Sequence, residues 1–274
     1  MSQGFNQLPA SVKDIQPFQV SISDEDINEL NQLLKLSRIA PPTYETSQED
    51  RRYGVTTKWL TEAKDHWLNN FSWKAEEARI NSFPNFIASI EHEGSTCKVH
   101  FIALFSQKPD AVPVISLHGW PGSFLEFLPQ LELTAKAYSP SDLPYHLIIP
   151  SLQGYAFSSG PPKDRHFTIH DTSAILNELM IGKLGFERYV ATGGDIGAGI
   201  ARILARKYEE CQGLLLNFCS MDITPEKEAI TLESEFEVQC VERGKWNVLP
   251  SHSQLILDVE CNMLANLRNR VTQS

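Results

Sequence analysis

The sequence predicts an α/β fold built on a mostly parallel sheet, with a helical segment in front of it. Three observations carry this. The short runs "VPVISL", "HLIIP", "RYVAT" and "GLLLNF" are apolar on both faces, as strands covered on both sides must be. Between them, "DTSAILNELMIGKLG" and "IGAGIARILARKYEE" repeat apolar residues at helical spacing. Strands that alternate with helices in this way close into a parallel sheet, because each crossover needs a helix to return the chain.

The elements follow in order. Residues 1–16 read as a loose tail. "SISDEDINELNQLLKLSR" starts a helix at Ser23, an N-cap with Asp26 three residues on, and places Ile27, Leu30, Leu33 and Leu34 on one face. After the polar loop "APPTYETSQEDRR", the helix "TTKWLTEAKDHWLNNFSW" carries Leu60, Ala63, Trp67, Leu68 and Phe71 on one stripe. "WKAEEARINSF" predicts a third, short helix. The texture changes near Phe86, where "FIASIEH" and "CKVHFIALF" read as strands joined by the turn "EGST". Further on, a helix capped at Asp171 or Thr172 turns Ile175, Leu179 and Met180 inward. Another after Asp195 turns Ile196, Ile200, Ile203 and Leu204 inward.

Composition narrows the function classes. A net charge of −10 over 274 residues argues against nucleic acid, whose phosphates need a basic face, and against docking on anionic lipid. The five cysteines, Cys97, Cys211, Cys219, Cys240 and Cys261, show no zinc-ligand spacing and read as reduced thiols. The start lacks the charged and apolar regions of a signal peptide, and no apolar run reaches the ~18 residues of a membrane span. These features predict a soluble, cytoplasmic protein.

The chemistry concentrates at "ATGGDIGAGIARILA". Gly193-x-Asp195-x-Gly197 stands between a strand and a helix, where small residues on each side of one acid permit a sharp turn. Such a turn presents the middle side chain at the carboxyl end of the sheet, as a nucleophile elbow does. An ionised carboxylate there, favoured by the helix N-terminus, attacks without needing a base. The plainer alternative makes Asp195 only the N-cap of its helix. A third reading takes Thr192, Gly193, Gly197 and Gly199 as the glycine loop of a short-chain dehydrogenase. That loop normally follows the first strand, and the downstream Tyr-x-x-x-Lys pair is missing here.

In "VISLHGWPGSFLEF" a buried strand ends at Leu117, and His118-Gly119-Trp120-Pro121-Gly122 turns sharply after it. The corresponding loop in folds with such an elbow gives one N–H of the oxyanion hole. Trp120 is the candidate donor, because Pro121 has no N–H to give, and Ile196 supplies the second. His118 reads either as a catalytic residue or as a brace for the loop. "IIPSLQGYAFSSGPP" follows the next strand and reaches the same rim, unless it is a plain surface loop.

Taken together, "HGWPGSFLEF", "PSLQGYAFSSGPP" and "ATGGDIG" resemble, in order and spacing, the epoxide hydrolases of the microsomal type within the α/β-hydrolase superfamily. The stretches "FQVSISDEDINELNQLLKLSR" and "RRYGVTTKWLTEAKDHWLNNFSWKAEEARINSFPNF" resemble the N-terminal region of that family, and the likeness runs from about Phe18 to about Phe236. It implies a domain plan of a tail over 1–16, an N-terminal region running into the first core strands over 17–110, a hydrolase core over 111–237 and an atypical tail over 238–274. It also implies that Asp195 attacks an epoxide carbon to form an alkyl ester. A histidine oriented by an acid then activates water, lid tyrosines donate a proton to the epoxide oxygen, and the product is a vicinal diol. No metal or organic cofactor is required, and the partner is a small-molecule epoxide.

Three departures from the pattern matter. Ile196 stands where many relatives have Trp, and no membrane anchor precedes the likeness. After "ESEFE" the text matches none of the expected lid, acid or base, so a shortened chain without the full catalytic set is expected. His252 is the only histidine after Asp195 and sits too early for the base, and Asp258 and Glu260 are no better placed as the acid. The tail reads as an amphipathic helix with Leu257, Cys261, Leu264 and Leu267 on one side. A last strand "GLLLNF" with an open edge predicts marginal stability or a need for a partner. A catalytically dead binding protein, a haloalkane dehalogenase and the dehydrogenase stay open as rivals.

Overall fold

A computed structural model describes residues 4–9, 12 and 14–219. They form two units: Phe18–Phe83, and the remainder from Pro84 onward together with the segment up to Pro17.

The first unit is helical. Helix α1 (Asp24–Leu36) begins at Ser23, whose Oγ accepts the Asp26 N–H at 3.1 Å, and three acids in its first turn oppose the helix dipole. Thr56 caps α2 (Thr57–Asn69) in the same way through the Trp59 N–H, and Ser72 caps α3 (Trp73–Asn81). Asn81 closes the unit by exchanging two hydrogen bonds with the Val20 backbone, at 2.9 and 2.8 Å. The expected apolar stripes of α1 and α2 are there but are not buried. Leu33 is 61% exposed and Trp67 46%, and neither helix buries a residue completely. Capping, not burial, therefore sets the ends of these two helices.

The second unit is a seven-stranded mixed sheet. Its strands are β1 (Ile15–Pro17), β2 (Asn85–His92), β3 (Ser95–Leu104), β4 (Val112–Leu117), β5 (Tyr145–Pro150), β6 (Tyr189–Gly193) and β7 (Cys211–Leu216), in the order β1-β2-β3-β5-β4-β6-β7. The β2–β3 hairpin turns at Glu93 and Gly94, both at positive φ. Strands β5, β4, β6 and β7 pair in parallel, and β3 joins them antiparallel. Crossover helices α4 (Leu128–Ala137), α5 (Ile169–Glu178) and α6 (Asp195–Lys207) return the chain. Alternate residues Cys97, Val99, Phe101 and Ala103 of β3 enter one core with Ile115, Leu117, Ala191, Ile200 and Leu204. On the other face His100, Ile102 and Leu104 are buried too, and Lys98 near the strand's start is exposed. Each fully buried Leu or Ile contributes about 1.5–3 kcal/mol.

Several expectations need correction. The α5 N-cap is Thr168, not Asp171 or Thr172. Asp171 is the reciprocal partner of a capping box, its Oδ2 accepting the Thr168 N–H at 2.8 Å. Ile203 is only half-buried, because Ala201 and Leu204 occupy the core-facing side of α6. The tail over 1–16 is not uniformly loose: Phe5 is 2% exposed, its carbonyl accepts the Phe105 N–H at 3.0 Å, and Ile15 starts the edge strand β1. An aromatic and an alternating tripeptide suffice to dock a terminus on an open edge. Strand β7 pairs only with β6 among the described residues, and Leu215 on it is 66% exposed. The expected helix over the tail lies outside the described residues, as do Cys240 and Cys261.

Candidate active site

The sheet order changes direction at β4. The chain leaves β4 toward β5 on one side and returns to β6 on the other, so the loops after β4 and β6 part at their carboxyl ends. Crevices at such switch points are where open α/β sheets bind ligands. Leu117, the last residue of β4, pairs with Gly193, the last of β6, so the two loops start side by side.

The second of these loops is the elbow. Asp195 has φ +51°, a left-handed conformation uncommon for residues other than glycine, held at a cost of about 1–3 kcal/mol. The flanking glycines are obligatory on steric grounds. A Cβ on Gly193 would lie 2.5 Å from the Gly197 backbone, and one on Gly197 would lie 2.3 Å from the Leu117 carbonyl oxygen. Strand and helix thus touch backbone to backbone beneath Asp195. The N-cap alternative fails, because Gly194 occupies the cap position and Asp195 is the first residue of α6. The dehydrogenase alternative loses its support as well, since the turn follows β6 rather than the first strand of the sheet.

The other loop comes to meet the carboxylate. The Trp120 backbone N–H donates to Asp195 Oδ1 at 2.8 Å. Gly119 permits this approach, because a Cβ there would sit 2.5 Å from Asp195 Cβ and 2.6 Å from Oδ1. The bond from Trp120 to Pro121 is cis. Ile196 is half-buried against the core, and its amide lies in the first turn of α6, where helical N–H groups have no intrahelical acceptor. Asp195, Gly119 and Trp120 are therefore in contact, and Gly193 and Gly197 form the floor.

His118 is fully buried. Its Nε2 accepts the Leu152 N–H at 3.0 Å, its Nδ1 lies 3.2 Å from the Gly119 carbonyl oxygen, and its ring meets the edge of Tyr155 at 4.9 Å. Burial pushes its pKa down, against a smaller upward effect of the Gly119 bond. The "PSLQGYAFSSGPP" loop is anchored by a second buried histidine. His100 contacts Ser151 Oγ at 2.8 Å and Asn85 Oδ1 at 3.0 Å, and burial lowers its pKa to about 3.

Two features escaped the sequence reading. Glu126, in the 3-10 turn Phe124–Phe127, is a second carboxylate in this region, and partial burial and the charge of Asp195 push its pKa up. Its position after the Ser123 cap was the available signal. Beside Ile196 lies a cavity of about 360 Å³ of mixed lining, with Leu152, Tyr155, Phe167 and Ile169 beside Gln153 and His166. His252, Asp258 and Glu260 lie outside the described residues. Among the described residues, the ligand atoms of His92, Glu93 and Asp171 lie within 4.8 Å of one another, but Arg165 already places Nη1 2.7 Å from Glu93 and 3.2 Å from Asp171. That space holds a cation of the protein's own. No helix among the described residues is long and apolar enough to cross a membrane.

The sheet, with the sharp strand-to-helix turn at Asp195 and the loop after β4 beside it, has an α/β-hydrolase fold, and the family description "alpha/beta hydrolase fold" matches residues 112–238. A second description, "Epoxide hydrolase N terminus", matches residues 15–127. The chain is 42% identical over 236 residues to a Dothistroma septosporum protein named as an epoxide hydrolase, covering 84% of this chain and 56% of that one. It is 35% identical over 229 residues to Epoxide hydrolase 1 of Oryctolagus cuniculus, covering 78% and 47%. The structure of Aspergillus niger epoxide hydrolase superposes with a TM-score of 0.79 at 45% identity, covering 88% of this chain and 62% of that one. The chain belongs to the epoxide hydrolase family. It spans about half the length of the curated relatives it matches.

Proposed function

We propose that this chain carries the nucleophilic half of an epoxide hydrolase site, with Asp195 as the attacking group. The carrying observation is the left-handed Asp195 with its Oδ1 fixed by the Trp120 N–H at 2.8 Å. That bond gives the two carboxylate oxygens different roles. Oδ2 attacks an epoxide carbon, the C–O bond breaks toward the ring oxygen, and that oxygen takes a proton from an acid. Oδ1 becomes the ester carbonyl oxygen and is already seated at the donor it needs. Water then adds to the ester carbon, and the tetrahedral oxyanion rests on the N–H groups of Trp120 and Ile196. A base takes a proton from this water and returns it to the departing alkoxide oxygen, so collapse restores the Asp195 carboxyl group and releases a vicinal diol. Removing one such donor costs about 3 kcal/mol of barrier.

A carboxylate suits this chemistry better than serine. The target is an sp³ carbon, and the product of attack is an ester that water can cleave. The substrate is a small-molecule epoxide. The histidine base and its acid are not among the residues described.

The test is a single turnover with enzyme in excess over styrene oxide in ¹⁸O water. Attack by Asp195 predicts ¹⁸O in the Asp195 peptide and unlabelled first-turnover diol, or a retained ester on the same peptide. Labelled diol with an unmodified Asp195, or no reaction of either kind, overturns the proposal.

A further inference from the structure

His118 holds more than a loop. The Leu152 backbone N–H can only donate, so the Nε2 it approaches at 3.0 Å must carry a lone pair. A neutral ring then has its proton on Nδ1, and Nδ1 faces the Gly119 carbonyl oxygen at 3.2 Å, which can only accept. The two contacts agree on one tautomer. A doubly protonated ring would set two N–H groups against each other at Leu152.

The consequence lies in the peptide that His118 grips. The Gly119 carbonyl and the Trp120 N–H belong to the same planar unit and point in opposite directions, so fixing one fixes the other. The Trp120 end is the one that meets Asp195 Oδ1. This peptide also needs a lock. Gly119 must lack a Cβ to let Asp195 approach, and glycine is the residue that leaves its following peptide freest to rotate. We propose that His118 is a positioning residue of the oxyanion site. As the Nδ1–H tautomer it clamps the Gly119 carbonyl, and through the shared peptide plane it aims the Trp120 N–H at Asp195. A hydrogen bond at the carbonyl also polarises the N–H of the same unit and strengthens it as a donor. His118 touches neither Asp195 nor substrate in this scheme. Its catalytic meaning rests on the reading of Asp195 as the ester-forming group, whereas the tautomer and the clamp do not.

The experiment has two parts. In the first, ¹⁵N-histidine labelling of the full chain reads the His118 ring nitrogens at neutral pH. The expected result is a protonated Nδ1 and an unprotonated Nε2, and the opposite tautomer or a charged ring overturns the proposal. The second part separates the clamp from simple bracing with two substitutions. In His118→Asn the amide nitrogen stands near the Nδ1 position and can still donate to Gly119. In His118→Gln the amide oxygen stands near the Nε2 position and can still accept from Leu152. The clamp predicts that the Trp120 backbone amide proton stays downfield in His118→Asn and moves upfield in His118→Gln. It also predicts that release of the Asp195 ester is at least about 10-fold faster in His118→Asn than in His118→Gln, with KM little changed. Bracing alone predicts that both variants behave alike or that His118→Gln is the better one, and either result overturns the clamp. Should neither variant fold, the ring nitrogens of the unaltered chain still decide. Should the unaltered chain form no Asp195 ester, the functional reading falls, while the tautomer and the Trp120 amide shift still judge the clamp.

Discussion

The helical unit and the sheet unit solve opposite problems. Helices α1 and α2 have well-formed caps, acids in place at the start of α1, and apolar stripes left largely open. The strands around the elbow rely on burial and backbone contact instead: Leu117 is fully buried, and Gly197 lies against its carbonyl oxygen. Local hydrogen bonds define the ends of a helix, but they do not hold an atom in place to a fraction of an ångström. The site needs that second kind of control, and it lies where glycine permits backbone to touch backbone.

The contrast can be broken most forcefully at matched leucines. Leu117→Ala should cost about 2–5 kcal/mol in urea unfolding, whereas Leu33→Ala should stay within about 0.5 kcal/mol. Equal costs would mean that the stripe of α1 is covered in solution. The glycines sharpen the comparison. Gly197→Ala drives a Cβ onto the Leu117 carbonyl and should cost about 3 kcal/mol and displace Asp195. Gly54→Ala, in open space at φ +99°, should cost only about 1 kcal/mol of backbone strain.

Acid should act on the sheet unit through His100. Its folded pKa of about 3 lies below the ordinary value near 6.5, so the folded protein keeps it neutral while the unfolded chain binds a proton. The stability it contributes is fully present above pH 6.5 and is lost as pH falls toward 3, about 2 kcal/mol of it by pH 5. Replacing His100 with Asn should flatten that slope in a pH series of unfolding midpoints. An unchanged slope would show that His100 is hydrated in solution. A smaller effect is expected of Ser23→Ala, which should remove about 1 kcal/mol from α1 through its lost cap, read as lower helix content by circular dichroism.

Much of this arrangement was legible in the sequence because its signals are local. Apolar runs gave the parallel strands, and Ser23 with Asp26 three residues on gave the start of α1. Two glycines around one acid gave the elbow. The α5 start was misplaced: spacing offered Asp171 or Thr172, whereas Thr168 caps the helix because Asp171 can answer it as the reciprocal partner. The open stripes were not legible, since spacing reports a face and not what covers it. Nor was the clamp. Leu152 and His118 are 34 residues apart, and only the pairing of β4 beside β5 brings them within 3.0 Å.

The most direct test of the central claim is mass spectrometry of the chain after exposure to a reactive aryl epoxide, with peptide mapping. The elbow geometry predicts one covalent adduct on Asp195, absent from Asp195→Asn, whose amide is no nucleophile but can still accept from Trp120. Modification spread over surface carboxylates and unaffected by Asp195→Asn would contradict it.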